Sequence, residues 1–231
     1  MSEAALSSVP ADIVIAMDGP SGSGKSSTSR GVAAKLGLRY LDTGAQFRAM
    51  TVWMLRHDVD LDDPAAIAAR AGEPVIVSGT DPLAPTITVD GEDVAAAIRS
   101  EETTKAVSAV AAVPAVRQRL LELQRAIIEE GGSGSGGIVV EGRDIGSVVA
   151  PDARLKVYLT ADAEARAARR TAEEKGDDVA ATQADLLRRD KIDSTRAAAP
   201  LTMPEGAIHL DTTAFTLTQV IDAVIALAET A

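Results

Sequence analysis

Residues 13–26 read IVIAMDGPSGSGKS, and this stretch decides the fold. Its first five residues are a short apolar run rich in β-branched side chains, the pattern of a buried strand. Asp18-Gly19-Pro20 is a turn signal. The segment Gly19-Pro20-Ser21-Gly22-Ser23-Gly24-Lys25-Ser26 then matches G-x-x-x-x-G-K-[ST]. A chain of average composition matches that pattern roughly once in a hundred, so context must support it. Here a strand precedes the loop and a helix pattern follows it, with Val32 and Leu36 on one face and Gly37 as a stop. Such a loop turns backbone N–H groups inward around phosphate oxygens, and the helix N-terminus adds positive potential. Lys25 is placed to reach the β- and γ-phosphates, and the Ser26 hydroxyl to help hold Mg²⁺. The residues assigned to ATP are therefore Gly19, Pro20, Ser21, Gly22, Ser23, Gly24, Lys25, Ser26 and the adjoining Ser27.

Outward from the loop, strands and helices alternate. Tyr40-Leu41 make a second short strand before Asp42, and residues 44–57 read as helix. Asp63 caps a short helix with Pro64 at its first position. PVIVSG (74–79), PTITV (85–89) and DGEDV (90–94) have the look of short strands joined by turns, with Asp90-Gly91 a hairpin dipeptide. This β-meander interrupts an α/β chain. Residues 73–112 thus read as an inserted subdomain, and residues 12–72 and 113–231 as the core. Pro114 opens a helix through Glu130, with Val116, Leu120, Leu123 and Ile127 near one face. GGSGSGG (131–137) reads as a return loop. Ile138-Val139-Val140 and RLKVYLT (154–160) are strands, and Asp162 caps a charged helix. A second helix lies in the charged residues 176–196. Residues 207–210 form a last strand. Thr216 and Gln219 form a capping box for a final helix that buries Leu217, Val220, Ile221, Val224 and Ile225. The pattern predicts an α/β three-layer P-loop fold with a mostly parallel central sheet.

Composition narrows the function. The chain has 231 residues, no Cys, and 23 Lys and Arg against 34 Asp and Glu, for a net charge of -11. Disulfides, thiolate metal sites and a Cys nucleophile are excluded. Two histidines, His57 and His209, argue against a His-based metal site. The acidic balance argues against a broad nucleic-acid surface, and five aromatics are too few for base stacking. No apolar run reaches the ~20 residues that span a bilayer. The N-terminal residues lack a basic start and an apolar core. The expectation is a soluble cytoplasmic protein.

A P-loop binds nucleotide without saying what is done with it. N-K-x-D, the guanine tetrapeptide, is absent from the sequence, and IVVEG is not the apolar run ending in Asp-Glu of larger ATPases. A small-molecule kinase fits the chain length. Three segments agree: TGAQFR ending at Arg48, EGRDIG around Arg143, and RDKIDSTR from Arg189 to Arg196. In an open α/β sheet, residues just past strand carboxyl ends gather at the ligand crevice. That places Arg48 and Arg143 near the P-loop, where guanidinium forks can clamp an acceptor phosphate.

Together, IAMDGPSGSGKSS, YLDTGAQFRA, VDGEDVAAAIRS, VSAVAAVPAVR, IVVEGRDIGSVVAPDA, RRDKIDSTRAAAPL and AIHLDTT resemble bacterial cytidylate kinases in order and spacing. These are nucleoside-monophosphate kinases, and the similarity runs from about Asp12 to the final helix. The resemblance implies transfer of the γ-phosphoryl of ATP, with Mg²⁺, to CMP and dCMP. It implies that Thr43 meets the CMP sugar–phosphate region and that Arg48 and Arg143 bind its phosphate. Ser108, Arg117 and Asp144 would read cytosine. Arg189 and Asp193 would hold the ribose, and Arg189 and Arg196 would face the transferring phosphoryl group. Lys25, Arg143, Arg189 and Arg196 are the catalytic set so implied. Residues 163–196 would be a closing lid, residues 73–112 the monophosphate-binding subdomain, and the protein a monomer.

Phe47 stands where many relatives have Tyr, and Thr43 where some have Ser. Asp18 has either a metal-side or a turn-stabilising role. Trp53 and Phe47 read as core, His57 and His209 as structural, and one of Arg166, Arg169 and Arg170 as an ATP contact left open. The rival readings are a kinase for UMP, AMP or shikimate, and a nucleotide-binding regulatory module without turnover.

Overall fold

A computed structural model describes residues 9–132, 136–174, 178–195 and 199–231. Arg196 lies outside the described residues, as do parts of the stretches 131–137 and 163–196. The elements in chain order begin with β1 (Val14–Asp18), α1 (Lys25–Leu36), β2 (Arg39–Asp42), α2 (Thr43–Arg56) and α3 (Pro64–Arg70). Next come β3 (Ile76–Ser78), β4 (Ile87–Val89), β5 (Glu92–Asp93), α4 (Glu101–Ala112) and α5 (Pro114–Gly132). The chain closes with β6 (Ile138–Glu141), β7 (Leu155–Thr160), α6 (Ala163–Glu174), α7 (Val179–Thr195), β8 (Ile208–Asp211) and α8 (Leu217–Thr230).

The main sheet has the order β2-β6-β1-β7-β8, and every pairing is parallel. Alternation along β1 divides the core. Ile15 and Met17 join Val139, Val157 and Leu159 under α1 and α8, with Val220, Ile221 and Val224. Ala16 joins Ile138 and Val140 on the opposite face, with Ile127 of α5. Each fully buried aliphatic side chain contributes about 1.5–3 kcal/mol. Helices on both faces leave the strand carboxyl ends open on one edge. There the registers set Asp42 beside Glu141 and Asp18 beside Tyr158.

The antiparallel sheet β3-β4-β5 is separate from the main one. Ile76, Ile87 and Val89 face Met50, Trp53 and Met54 of α2, in a cluster that also holds Val116 and Leu120 of α5. The β4–β5 turn has positive φ at Asp90 and Gly91 (52° and 84°), the left-handed pair that Asp-Gly tolerates. Asp90 also accepts from the indole Nε1 of Trp53 at 2.7 Å, so the meander is tied to α2. Among the described residues no helix is long and apolar enough to cross a membrane.

Three expectations need correction. The helix α4 was not foreseen, because Thr, Ser and Ala dilute its apolar period. Its signature is the Ser100 cap, which accepts from Thr103 N at 3.1 Å, followed by Glu101 and Glu102. Leu217 is 49% exposed rather than core, because the first turn of α8 overhangs a cavity at the P-loop. Phe47 is only partly core: half-buried, it packs against the cluster that holds Trp53 and also walls a second cavity. His57 stacks on Trp53 at 3.9 Å between centroids, and both histidines are exposed.

Candidate active site

The loop from Gly19 to Ser26 turns tightly over the end of β1. Gly19 has φ 142°, and a Cβ there would lie 2.0 Å from the Leu159 carbonyl oxygen, so no side chain fits. Gly24 caps α1 in the left-handed region at φ 86°. Asp18, just before the loop, is buried and accepts from Ile145 N and Gly146 N, both at 2.7 Å. Burial pushes its carboxyl up, and the two N–H groups oppose that shift. Both oxygens therefore hold the wide turn Ile145–Val149, which positions the neighbouring Asp144. This favours the turn-stabilising role for Asp18.

Lys25 is buried, with Nζ 2.7 Å from the Pro20 carbonyl oxygen. Burial, then the Arg143 guanidinium, pushes it down to about 7. Glu141 ends β6, in register with Met17 of β1. Its carboxylate accepts from the Tyr40 hydroxyl and from Ser26 Oγ, the latter at 3.0 Å. Burial, then Asp42, pushes Glu141 up to about 7. Burial, then Glu141, raises the Tyr40 phenol. Sequence reasoning passed over Glu141 as a site residue. The available signal was an acidic residue ending a buried strand that pairs beside the P-loop strand.

Across the crevice, Arg143 Nε lies 3.1 Å from Asp193 Oδ2. Arg48 Nη1 donates to Ile98 O at 3.0 Å and to Thr104 Oγ1 at 2.9 Å, joining α2 to the 73–112 segment. Burial, then Arg189, then Arg170 pushes Arg48 down to about 10. Burial, then Arg143, does the same to Arg189. Arg48, Arg143, Arg170 and Arg189 thus share one positive field. The Thr43 hydroxyl is buried and donates to the Glu141 carbonyl at 2.8 Å.

Arg117 and Asp144 form an ion pair, and Arg117 Nη1 also donates to Ala111 O at 3.2 Å. The Arg117 guanidinium stands 5.3 Å from the Phe47 ring centroid. These residues border a cavity of about 260 Å³ that Leu121, Gln124 and Val148 also line. Gln124 is 2% exposed, and among the described residues its Nε2 has no hydrogen-bond partner. Ser108 is half-buried on α4 and is not one of the residues that line this cavity.

A cavity of about 310 Å³ adjoins the loop on its other side, walled by Ser23, Gly24, Ser27, Arg169, Thr212, Phe215 and Leu217. Arg169 donates to Thr212 Oγ1 at 2.9 Å and to Thr212 O at 2.6 Å. Its neighbour Arg166 turns inward, pairs with Asp190 and donates to Ser21 O at 3.0 Å. The three arginines left undistinguished in the sequence therefore have different surroundings: Arg166 the loop, Arg169 the cavity, Arg170 the arginine cluster.

Comparison with known proteins agrees with this geometry. The family model for cytidylate kinase matches residues 15–230. Cytidylate kinase of Streptomyces avermitilis is 59% identical over 229 residues, covering 99% of this chain and 97% of that protein. The Streptomyces coelicolor enzyme is 58% identical over 229 residues, with the same coverage. That of Nocardia farcinica is 55% identical over 214 residues, covering 91% of this chain and 90% of that one. Among solved structures, an uncharacterized protein from Eubacterium ventriosum superposes with a TM-score of 0.51 at 10% identity, covering 95% and 100% of the two chains, and so shares the fold. With a P-loop, a facing arginine cluster and relatives this similar over nearly its whole length, the chain belongs to the cytidylate kinase family.

Proposed function

We propose that this protein transfers the γ-phosphoryl group of ATP to CMP, and to dCMP, with Mg²⁺ at the P-loop, as a cytoplasmic monomer. The observation that carries the reading is the group Arg48, Arg143 and Arg189 set across from Lys25, on a chain of net charge -11. Burial, then neighbouring guanidiniums, pushes Arg48 and Arg189 down, and a phosphate placed among them favours their charged form.

The loop N–H groups and Lys25 take the ATP phosphates. The cavity walled by Arg169, Phe215 and Leu217 takes the adenosine. Ser26 Oγ and the Glu141 carboxylate are hard oxygen donors suited to Mg²⁺. Among the described residues no cluster of three or more His, Cys, Asp or Glu side chains could hold a metal, which fits an ion carried largely by phosphate and water oxygens. When bound, Mg²⁺ neutralises charge on the transferring phosphoryl group.

On the acceptor side, Arg48 and Arg143 hold the CMP phosphate, with Thr43 beside it. Arg189 and Asp193 hold the ribose, and Arg189 and Arg196 serve the transferring phosphoryl group. The Arg117–Asp144 pair, with Ser108, reads the base. Cytosine offers an N4 donor to a carboxylate and N3 and O2 acceptors to a guanidinium, whereas uracil would set O4 against Asp144. The acceptor phosphate is already anionic, so no general base is needed. These residues orient both phosphates and neutralise charge as it redistributes. Residues 73–112 then serve as the monophosphate-binding unit and residues 163–196 as the lid that excludes water.

A coupled ADP-release assay with ATP and Mg²⁺, offering CMP, dCMP, UMP, AMP and shikimate in parallel, tests this. Turnover confined largely to CMP and dCMP is expected. Turnover led by another acceptor would discard the base assignment. ATP binding without acceptor-dependent turnover would indicate a nucleotide-binding module.

A further inference from the structure

Asp190 makes a contact that the reaction, as described, does not use. P-loop N–H groups gather anions, and the N–H of Ser21 donates to Asp190 Oδ1 at 3.2 Å. The carbonyl of the same residue accepts from Arg166 Nη1 at 3.0 Å. Arg166 and Asp190 are themselves paired, with side chains only 8% and 17% exposed. Both backbone polar groups of one P-loop residue are therefore held by the helices after β7, Arg166 on α6 and Asp190 on α7. Packing is close at the next residue: a Cβ on Gly22 would lie 3.2 Å from Arg166 Cβ and 3.4 Å from Leu186 Cδ1.

The other end of the connection is one turn further along α7. Asp193, three residues after Asp190, pairs with Arg143. Residues three apart share a helix face. One turn of α7 thus touches the donor loop through Asp190 and an acceptor-side arginine through Asp193.

Resting on the kinase reading above, we infer that Asp190 is a positioning residue that couples the P-loop to Arg143, so that nucleotide in the loop sets the acceptor arginine for CMP. A buried ion pair alone is weak evidence for stability, and this one also holds the N–H and the carbonyl of Ser21. Both partners of the Asp190 carboxylate are donors. An amide, with one acceptor oxygen, satisfies one of them and turns an N–H toward the other. Asp190→Asn therefore breaks the coupling while keeping the shape. Arg166→Lys keeps the charge but ends one atom short of Nη1, the single nitrogen that reaches both Ser21 O and Asp190.

The test is the Kd of CMP, by calorimetry, with and without a Mg²⁺-bound ATP analogue carrying a β,γ-imido bridge, alongside steady-state kinetics. In the wild type the analogue should tighten CMP binding about fivefold or more. Asp190→Asn should leave the Kd without analogue within about twofold, abolish the tightening, and lower kcat about tenfold or more. Arg166→Lys should lose part of the tightening, and it stands in should Asp190→Asn fail to fold. Full tightening and normal kcat in Asp190→Asn would overturn the inference, as would a wild type without tightening. A lowered melting temperature with tightening intact would assign Asp190 to stability alone and also overturn it. Absence of CMP turnover by the wild type would overturn the kinase reading, and this inference with it. Turnover by the wild type with an unaltered variant would overturn this inference alone.

Discussion

Ser26 Oγ donates to Glu141 Oε2 at 3.0 Å, joining the last residue of the P-loop to the carboxyl end of the neighbouring parallel strand. The oxygens are close enough to act on one cation, either directly or through its water. Glu141→Gln should raise the Mg²⁺ concentration for half-maximal activity by about tenfold or more. A Mg²⁺ titration of the initial rate checks this. An unchanged half-point in folded protein would remove Glu141 from the metal site.

Arg143 stands in the field of Lys25, Arg48 and Arg189 and is tied to Asp193. Arg143→Ala should lower kcat/KM for CMP by about two orders of magnitude or more, since a charge-assisted contact to the acceptor phosphate is lost. Near-normal kinetics in a folded variant would refute the role.

The Arg117–Asp144 pair offers a test of base reading that leaves the phosphate sites intact. In Asp144→Asn the side-chain amide can turn an N–H toward a uracil carbonyl. The ratio of kcat/KM for CMP over UMP should fall about tenfold or more. Parallel kinetics with both acceptors decide it, and an unchanged ratio would place cytosine recognition elsewhere.

Lys25 titrates at about 7 in the folded chain, against 10.5 when unfolded, because burial disfavours its charge. Between those values the unfolded chain binds more protons, so this group makes the ligand-free protein more stable as pH rises. Lys25→Met removes the contribution. Melting temperatures from pH 7.5 to 10 should show the wild type gaining on the variant. Parallel curves would mean that Lys25 keeps its proton throughout.

Gln124 carries a buried amide whose Nε2 has no partner among the described residues, beside the Arg117 cavity. Gln124→Leu should leave stability unchanged or raise it by about 1 kcal/mol, since an unsatisfied polar group is exchanged for an apolar one of similar shape. Chemical denaturation measures this. A loss above about 2 kcal/mol would show that the amide is satisfied in solution.

Much of this architecture was legible because it is written in local chemistry. The run from Ile13, the Gly-Lys-Ser loop, the Asp63 cap and the Thr216–Gln219 capping box depend on neighbours a few residues apart. What α4 and Leu217 share is weak or misleading periodicity: Thr and Ser interrupt the apolar rows of α4, and Leu217 fits the stripe of α8 but overhangs a cavity instead. The ends of β1, β2 and β6 are far apart in sequence, yet parallel pairing sets Asp42 and Glu141 side by side.

Local chemistry along the chain thus specifies a parallel α/β sheet, a phosphate loop with its lysine, and the family to which the chain belongs. Which polar groups meet depends on how distant elements pack. Packing set Glu141 against Ser26, Arg166 and Asp190 around Ser21, and Arg169 on the cavity beside the loop. The physical reason is that burial and long-range pairing set the field at each ionisable group. Both arise when elements more than a hundred residues apart, such as the P-loop and α7, pack together.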